Sequence, residues 1–167
     1  MMTKVIAKRK AAENKLRGKD VLVYINFGEG ATEASPKWAL LGGQTKGSLS
    51  MSADDIDATN KTSGGWGEKY QGIKSTELSI EGIVLNSDEA YAALKDAFIK
   101  GDPVDICRFA TDGSGERNWY SITELSDEAP HDDMVTYSVT LGGIGEPTFF
   151  TGLKTVDEVG KNSSISH

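Results

Sequence analysis

Residues 73–85 alternate strictly, with Thr76, Leu78, Ile80, Gly82 and Val84 on one side and Ser75, Glu77, Ser79 and Glu81 on the other. A period of two is the mark of a strand that buries one face and leaves the other to water or to a partner. A chain built around such a strand needs a sheet to hold it. The 23 residues before it, 50–72, are rich in Ser, Thr, Asp, Asn and Gly and show no apolar periodicity, so they read as one long polar loop. Loops of that length inside a compact domain usually carry function. The expectation is a rigid strand bearing a long projection.

The rest of the chain supports a mainly β fold. Val21, Val23, Ile25 and Phe27 share one face of a first strand, opposite Leu22 and Tyr24. Residues 37–50 read as a second strand, with a bulge or bend at Gly42-Gly43. After the 73–85 strand, residues 103–110 and 118–125 flank the turn TDGSGE as a hairpin, and residues 135–144 alternate as a last strand. One helix is predicted over 87–100. Asn86 or Ser87 is placed to cap it, Glu89 to complete a capping box, and Tyr91, Leu94 and Phe98 share an apolar face; Gly101 and Pro103 end it. The prediction is a β-sandwich or open barrel of about six to eight strands with one flanking helix. Its domain spans 21–145, between an N-terminal arm, 1–20, and a C-terminal arm, 146–167, whose scattered apolar residues (Phe149, Phe150, Leu153, Val156, Val159) read as a docking segment.

Charge narrows the partners. The first twenty residues hold seven Lys or Arg against Glu13 and Asp20, a local +5, and the whole chain's −7 therefore places −12 on the remainder. An acidic body repels nucleic acid at long range. The basic arm reads either as a tie onto an acidic neighbour or as a solvated leader. No apolar stretch approaches membrane-spanning length, and no apolar core of a secretory signal is evident near residue 1, so folding in a cytoplasm is expected.

Nothing assembles into a catalytic constellation. The single cysteine, Cys107, lies in the apolar run VDICRFA and reads as a packed core thiol rather than a nucleophile. His131 stands beside Asp132 and Asp133 in a turn that offers no distant ligand to complete a metal site. Glu77 and Glu81 share a strand face but lie roughly 13 Å apart by the rise per residue, beyond the spacing of glycosidase carboxylate pairs. No cofactor, no metal and no enzymatic activity are expected.

The run D-A-T-N-K-T-S-G-G-W-G-E from Asp57 to Glu68, then Gly72, then S-I-E-G from Ser79 to Gly82 resembles the major tail tube proteins of long-tailed phages with non-contractile tails, relatives of type VI secretion tube proteins. The order of strands, loop, helix and hairpin is similar too. The resemblance implies that six copies join their sheets into a ring around an inner β-barrel, that rings stack into a tube, and that 50–72 reaches the adjacent ring while both arms bridge subunits. It implies a virion tail location after assembly in the host cytoplasm. Implied partners are further copies of the chain, the tape measure, distal tail and tail terminator proteins, and double-stranded DNA in passage through the lumen. On that reading Trp66, a large aromatic in a polar loop, is an interface anchor. Tyr70, Asp54, Asp55 and Asp57 belong to the same contact, and Glu77 and Glu81 face the lumen. Tubes of a contractile tail, a bacteriocin particle or a secretion machine share this reading, and a monomeric β-sandwich binding module is the alternative from another class.

Overall fold

The computed structural model describes residues 16–160. Seven strands form one antiparallel sheet: β1 (Val21–Asn26), β2 (Trp38–Leu40), β3 (Gln44–Asp57), β4 (Lys69–Ile83), β5 (Val104–Ala110), β6 (Gly115–Glu128) and β7 (Thr136–Phe150). Their order across the sheet is β2-β1-β5-β6-β7-β4-β3. One helix, α1 (Glu89–Lys100), joins β4 to β5.

The sheet is rolled. Val23 and Ile25 near one end and Leu78 and Ile80 near the other belong to a single buried cluster, together with Val104, Ile106, Tyr120, Ile122, Tyr137, Val139 and Leu141. Strands that far apart in one sheet share a core only if the sheet curls on itself. α1 supplies Ala90, Tyr91 and Leu94 to the same cluster, with the Tyr91 and Tyr137 rings 4.8 Å apart. Of the expected β-sandwich or open barrel with one flanking helix, the result is the open barrel.

Gly82, the last residue of the S-I-E-G motif, has a packing role. A Cβ there would lie 2.6 Å from the Tyr137 hydroxyl oxygen and 2.7 Å from the Gly43 carbonyl oxygen, so only glycine lets β4 pass this corner. Gly43, opposite, turns the chain between β2 and β3 at φ +68°.

Three boundaries differ from expectation. The predicted loop 50–72 is mostly ladder: β3 and β4 pair from Gln44↔Gly82 out to Asp57↔Lys69, leaving only residues 58–68 as the connection. Both faces of this extension are exposed, so its side chains carry no apolar alternation even though its backbone groups are paired. The helix is capped by Asp88, whose carboxylate accepts from the Ala90 N–H at 3.2 Å, not by Asn86 or Ser87. Ser87 sits at φ 63°, outside the extended conformation a cap requires. Finally, β7 runs on to Phe150, beyond the expected end of the domain.

The predicted docking segment docks on its own chain. Phe150 and Val159 are buried with Cys107 and Phe109, and Leu153, Val156, Tyr24 and Trp38 pack around them on the outer face of β1 and β5. The stretch through Gly160 therefore covers its own domain, and 161–167, like most of the N-terminal arm, lie outside the described residues. A polar clamp holds this layer. Asp105, almost fully buried, accepts from Arg117 Nε at 3.0 Å and from Asn26 Nδ2 at 3.0 Å. Arg117 also donates to the Glu33 carbonyl at 2.9 Å and lies over the Trp38 ring, whose Nε1 donates to the Val159 carbonyl.

Candidate self-assembly surface

Two features of the fold face outward with nothing against them among the described residues. The first is the β3–β4 hairpin, which leaves the barrel as a two-stranded arm. Its outer part is held by its own cross-strand pairs: the Ser52 and Ser75 hydroxyls hydrogen-bond at 2.9 Å, and Ile56 stands opposite Tyr70. The tip is built, not loose. The Glu68 N–H donates to Thr59 Oγ1 at 2.9 Å, the Ala58 N–H to the Glu68 carbonyl at 2.9 Å, and the Trp66 N–H to the Ser63 carbonyl at 3.2 Å.

The predicted contact residues all lie on this arm. Trp66 stands at the tip among Gly64, Gly65 and Gly67, 81% exposed. Tyr70 is also exposed, three residues nearer the barrel than Gly67. Asp57 begins the connection and caps its turn, accepting the Thr59 N–H at 2.9 Å; hydrogen bonds from Thr59, side chain and then backbone, lower its pKa. Asp55 approaches Lys69 at 3.9 Å in an exposed pair of little energetic weight. Asp54 occupies the bulge between Ala53 and Asp55. The three aspartates thus do separate things, and they do not converge on a common point. Ile73 and Met51, unforeseen from sequence, and Phe149, expected only as part of the docking segment, are exposed near the arm's base. Met51 was hidden in the stretch that reads as a polar loop.

The second feature is the outer face of the four strands β6-β7-β4-β3. Cross-strand rows on it read Ser50–Glu77–Gly142–Ser121, Ser48–Ser79–Thr140–Glu124 and Lys46–Glu81–Ser138–Ser126. It is a hydroxyl-lined surface carrying Glu77, Glu81, Glu124 and Glu128 against Lys46. Both edges of this four-stranded face are open. β5 pairs with β6 only as far as Tyr120, so no strand lies beside 121–128 among the described residues, and none lies beside β3 at the other edge. Open edges of this length are an association surface.

His131 is exposed, with Nε2 3.7 Å from Asp132, and no group of three His, Cys, Asp or Glu residues is placed to hold a metal among the described residues. No described helix is long and apolar enough to cross a membrane.

The sequence profile of the family described as phage tail tube protein matches residues 15–149, most of the chain. The chain belongs to the phage tail tube protein family. Solved structures repeat this tail tube protein's fold at low identity. The tail of an empty gene transfer agent particle, refined helically with C6 symmetry, matches with TM-score 0.71 at 21% identity, covering 82% of this chain and 100% of that one. The SPP1 tail tube, solved by solid-state NMR and cryo-EM, matches with TM-score 0.71 at 16% identity over 90% of this chain and 88% of that one. A protein of the anti-feeding prophage baseplate matches with TM-score 0.58 at 10% identity, over 90% and 98%. No curated protein matches by sequence. This tail tube protein is therefore a structural component of a phage-type tail, and its likeness to tube subunits is the setting in which its open edges and projecting arm have to be read.

Proposed function

We propose that six copies close into a ring by pairing β3 of each copy with the 121–128 stretch of β6 in the next, and that rings stack into the hollow tube through which the genome is delivered. The observation that carries this is the pair of open edges on either side of one polar four-stranded face. A contact between two different edges is heterologous, and repeated around an axis it closes a ring. Pairing there removes the aggregation liability of both edges and satisfies their backbone groups. The sixfold symmetry of the gene transfer agent tail supports the number of copies.

In such a ring the Ser/Thr/Glu face lines the channel. Glu77 and Glu81 face the lumen with Glu124, and their charge keeps the phosphate backbone of double-stranded DNA from adhering. The β3–β4 arm, with Trp66 and Tyr70 exposed and Asp54, Asp55 and Asp57 beside them, points along the tube to the next ring. The basic arm 1–20 bridges subunits. Tape measure, distal tail and tail terminator proteins meet the lumen and the two ends of the tube. The protein is a virion component assembled in the host cytoplasm, uses no cofactor and performs no chemistry.

Hydrogen–deuterium exchange on the free chain and on assembled tubes tests the ring. In 48–57 and 121–128 the alternate amides that point away from β4 and β7 exchange fast in the monomer and become protected in tubes, whereas those paired to β4 and β7 are slow in both. Equal exchange of the outward amides in both states at either edge contradicts the pairing.

A further inference from the structure

The arm carries a knob at its tip, and the chain carries a groove at the arm's base. The groove, about 650 Å³, is lined by Met51, Ala53, Lys74, Glu146, Pro147 and Phe149. It continues the inner face of the barrel: Leu49 pairs with Leu78 in the core, and the next inward pairs, Met51↔Thr76 and Ala53↔Lys74, have left it. The core's apolar face is therefore extended past the point where the domain can cover it, and Met51 and Phe149 are 62% and 52% exposed. A monomer gains nothing from that exposure.

We infer that this groove receives the Trp66 tip of the β3–β4 arm from a second copy of the chain. The inference rests on the tube reading above and names the acceptor of its axial contact. Trp66 cannot fill its own groove. Six residue steps along β3 take the chain from Met51 to Asp57, roughly 20 Å at the rise of a strand, and Trp66 lies beyond that on a tip fixed by its own hydrogen bonds. Knob and groove thus sit at opposite ends of one rigid arm. Joining them between copies is a head-to-tail contact that displaces each copy along the arm, the geometry that propagates rather than closes. Charge agrees. The tip carries Lys61 and Glu68, and the groove carries Lys74 and Glu146, one of each sign on both sides. Gln71 and Glu146 offer acceptors for the indole N–H, which needs one when buried. The basic residues 1–15 are a poorer occupant, because a balanced Lys–Glu groove gives a segment with five Lys or Arg against Glu13 no acidic excess to meet.

The test measures the concentration at which tubes form, by sedimentation and electron microscopy, for the wild type, Trp66→Ala, Met51→Ala/Phe149→Ala and the triple variant. Each is expected to raise the threshold at least tenfold, and the triple no further than either, because both sides of one contact are not additive. Mixed tubes of a Thr62→Cys chain and an Ala53→Cys chain, which keep Trp66, Met51 and Phe149, are expected to form an intermolecular disulfide. A groove variant that assembles at the wild-type threshold while Trp66→Ala fails overturns the groove as acceptor, as do additive thresholds or mixed tubes without the disulfide. Absence of tubes in the wild type overturns the tube reading itself.

Discussion

The side-chain amide of Gln44 takes the place of a strand beside Val23. Its Oε1 accepts from the Val23 N–H at 2.9 Å, and its Nε2 donates to the Val23 carbonyl at 3.2 Å and to the Leu41 carbonyl at 2.7 Å. β2 pairs with β1 only from Tyr24 to Asn26, so without Gln44 the backbone N–H of Val23 has no partner where the rolled sheet returns on itself. Gln44→Leu is expected to lower unfolding free energy by about 1–3 kcal/mol, the cost of leaving a buried backbone group unpaired. Urea unfolding checks this, with the midpoint falling and the slope unchanged.

The clamp between Asp105 and Arg117 holds the C-terminal layer over Cys107. Asp105→Ala leaves the guanidinium without its buried carboxylate, and such losses cost about 3–5 kcal/mol. Burial keeps the Cys107 thiol protonated by pushing its pKa up, so it is inert in the native chain. Thiol labelling under native conditions is expected to accelerate at least tenfold in the variant, because the Arg117 guanidinium over Trp38 loses its anchor and the Trp38 ring, which holds the Val159 carbonyl, loses its support.

Glu116 predicts a pH dependence with a definite sign. Burial raises its pKa, and the Arg108 guanidinium, 3.0 Å away, pulls it back only in part. A carboxyl whose folded pKa is raised contributes stability that is fully present below its unfolded pKa and lost as pH climbs through the folded value. The stability of the wild type relative to Glu116→Gln should therefore fall from about pH 4 upward. Paired denaturant titrations between pH 3.5 and 7.5 read it, and a difference that rises with pH refutes it.

Reversing charge on the polar face tests the lumen. Glu77 and Glu81 are exposed on β4 and make no ion pair within the chain among the described residues, so Glu77→Lys/Glu81→Lys leaves the fold intact. Particles carrying the pair are expected to eject DNA more slowly, and more so at low salt. Ejection at the normal rate places this face elsewhere.

Much of the architecture was legible wherever one face of an element is buried. Leu78 and Ile80 against Glu77 and Glu81, and Tyr91 with Leu94, fix a strand and a helix by periodicity alone. The extension of β3 and β4 past Ser50 was not legible, because its pairing is carried by backbone and by exposed residues such as Ser52, Ser75 and Tyr70. The cap at Asp88 was missed because three consecutive candidates, Asn86, Ser87 and Asp88, differ only in backbone conformation. Phe150 and Val159 were recognised as docking residues, but their partners lie on β1 and β5, more than forty positions away in sequence, and no local pattern names a distant partner. The groove at Met51 and Phe149 joins residues on two strands that are not neighbours in the chain, which only the folded sheet brings together.

The most direct test of the central claim is electron microscopy of the purified chain through a concentration series. Hollow rings and tubes with sixfold end views, a smooth lumen and regular axial repeats are the predicted result. Solid aggregates, or closed oligomers of any other symmetry that never stack, contradict it.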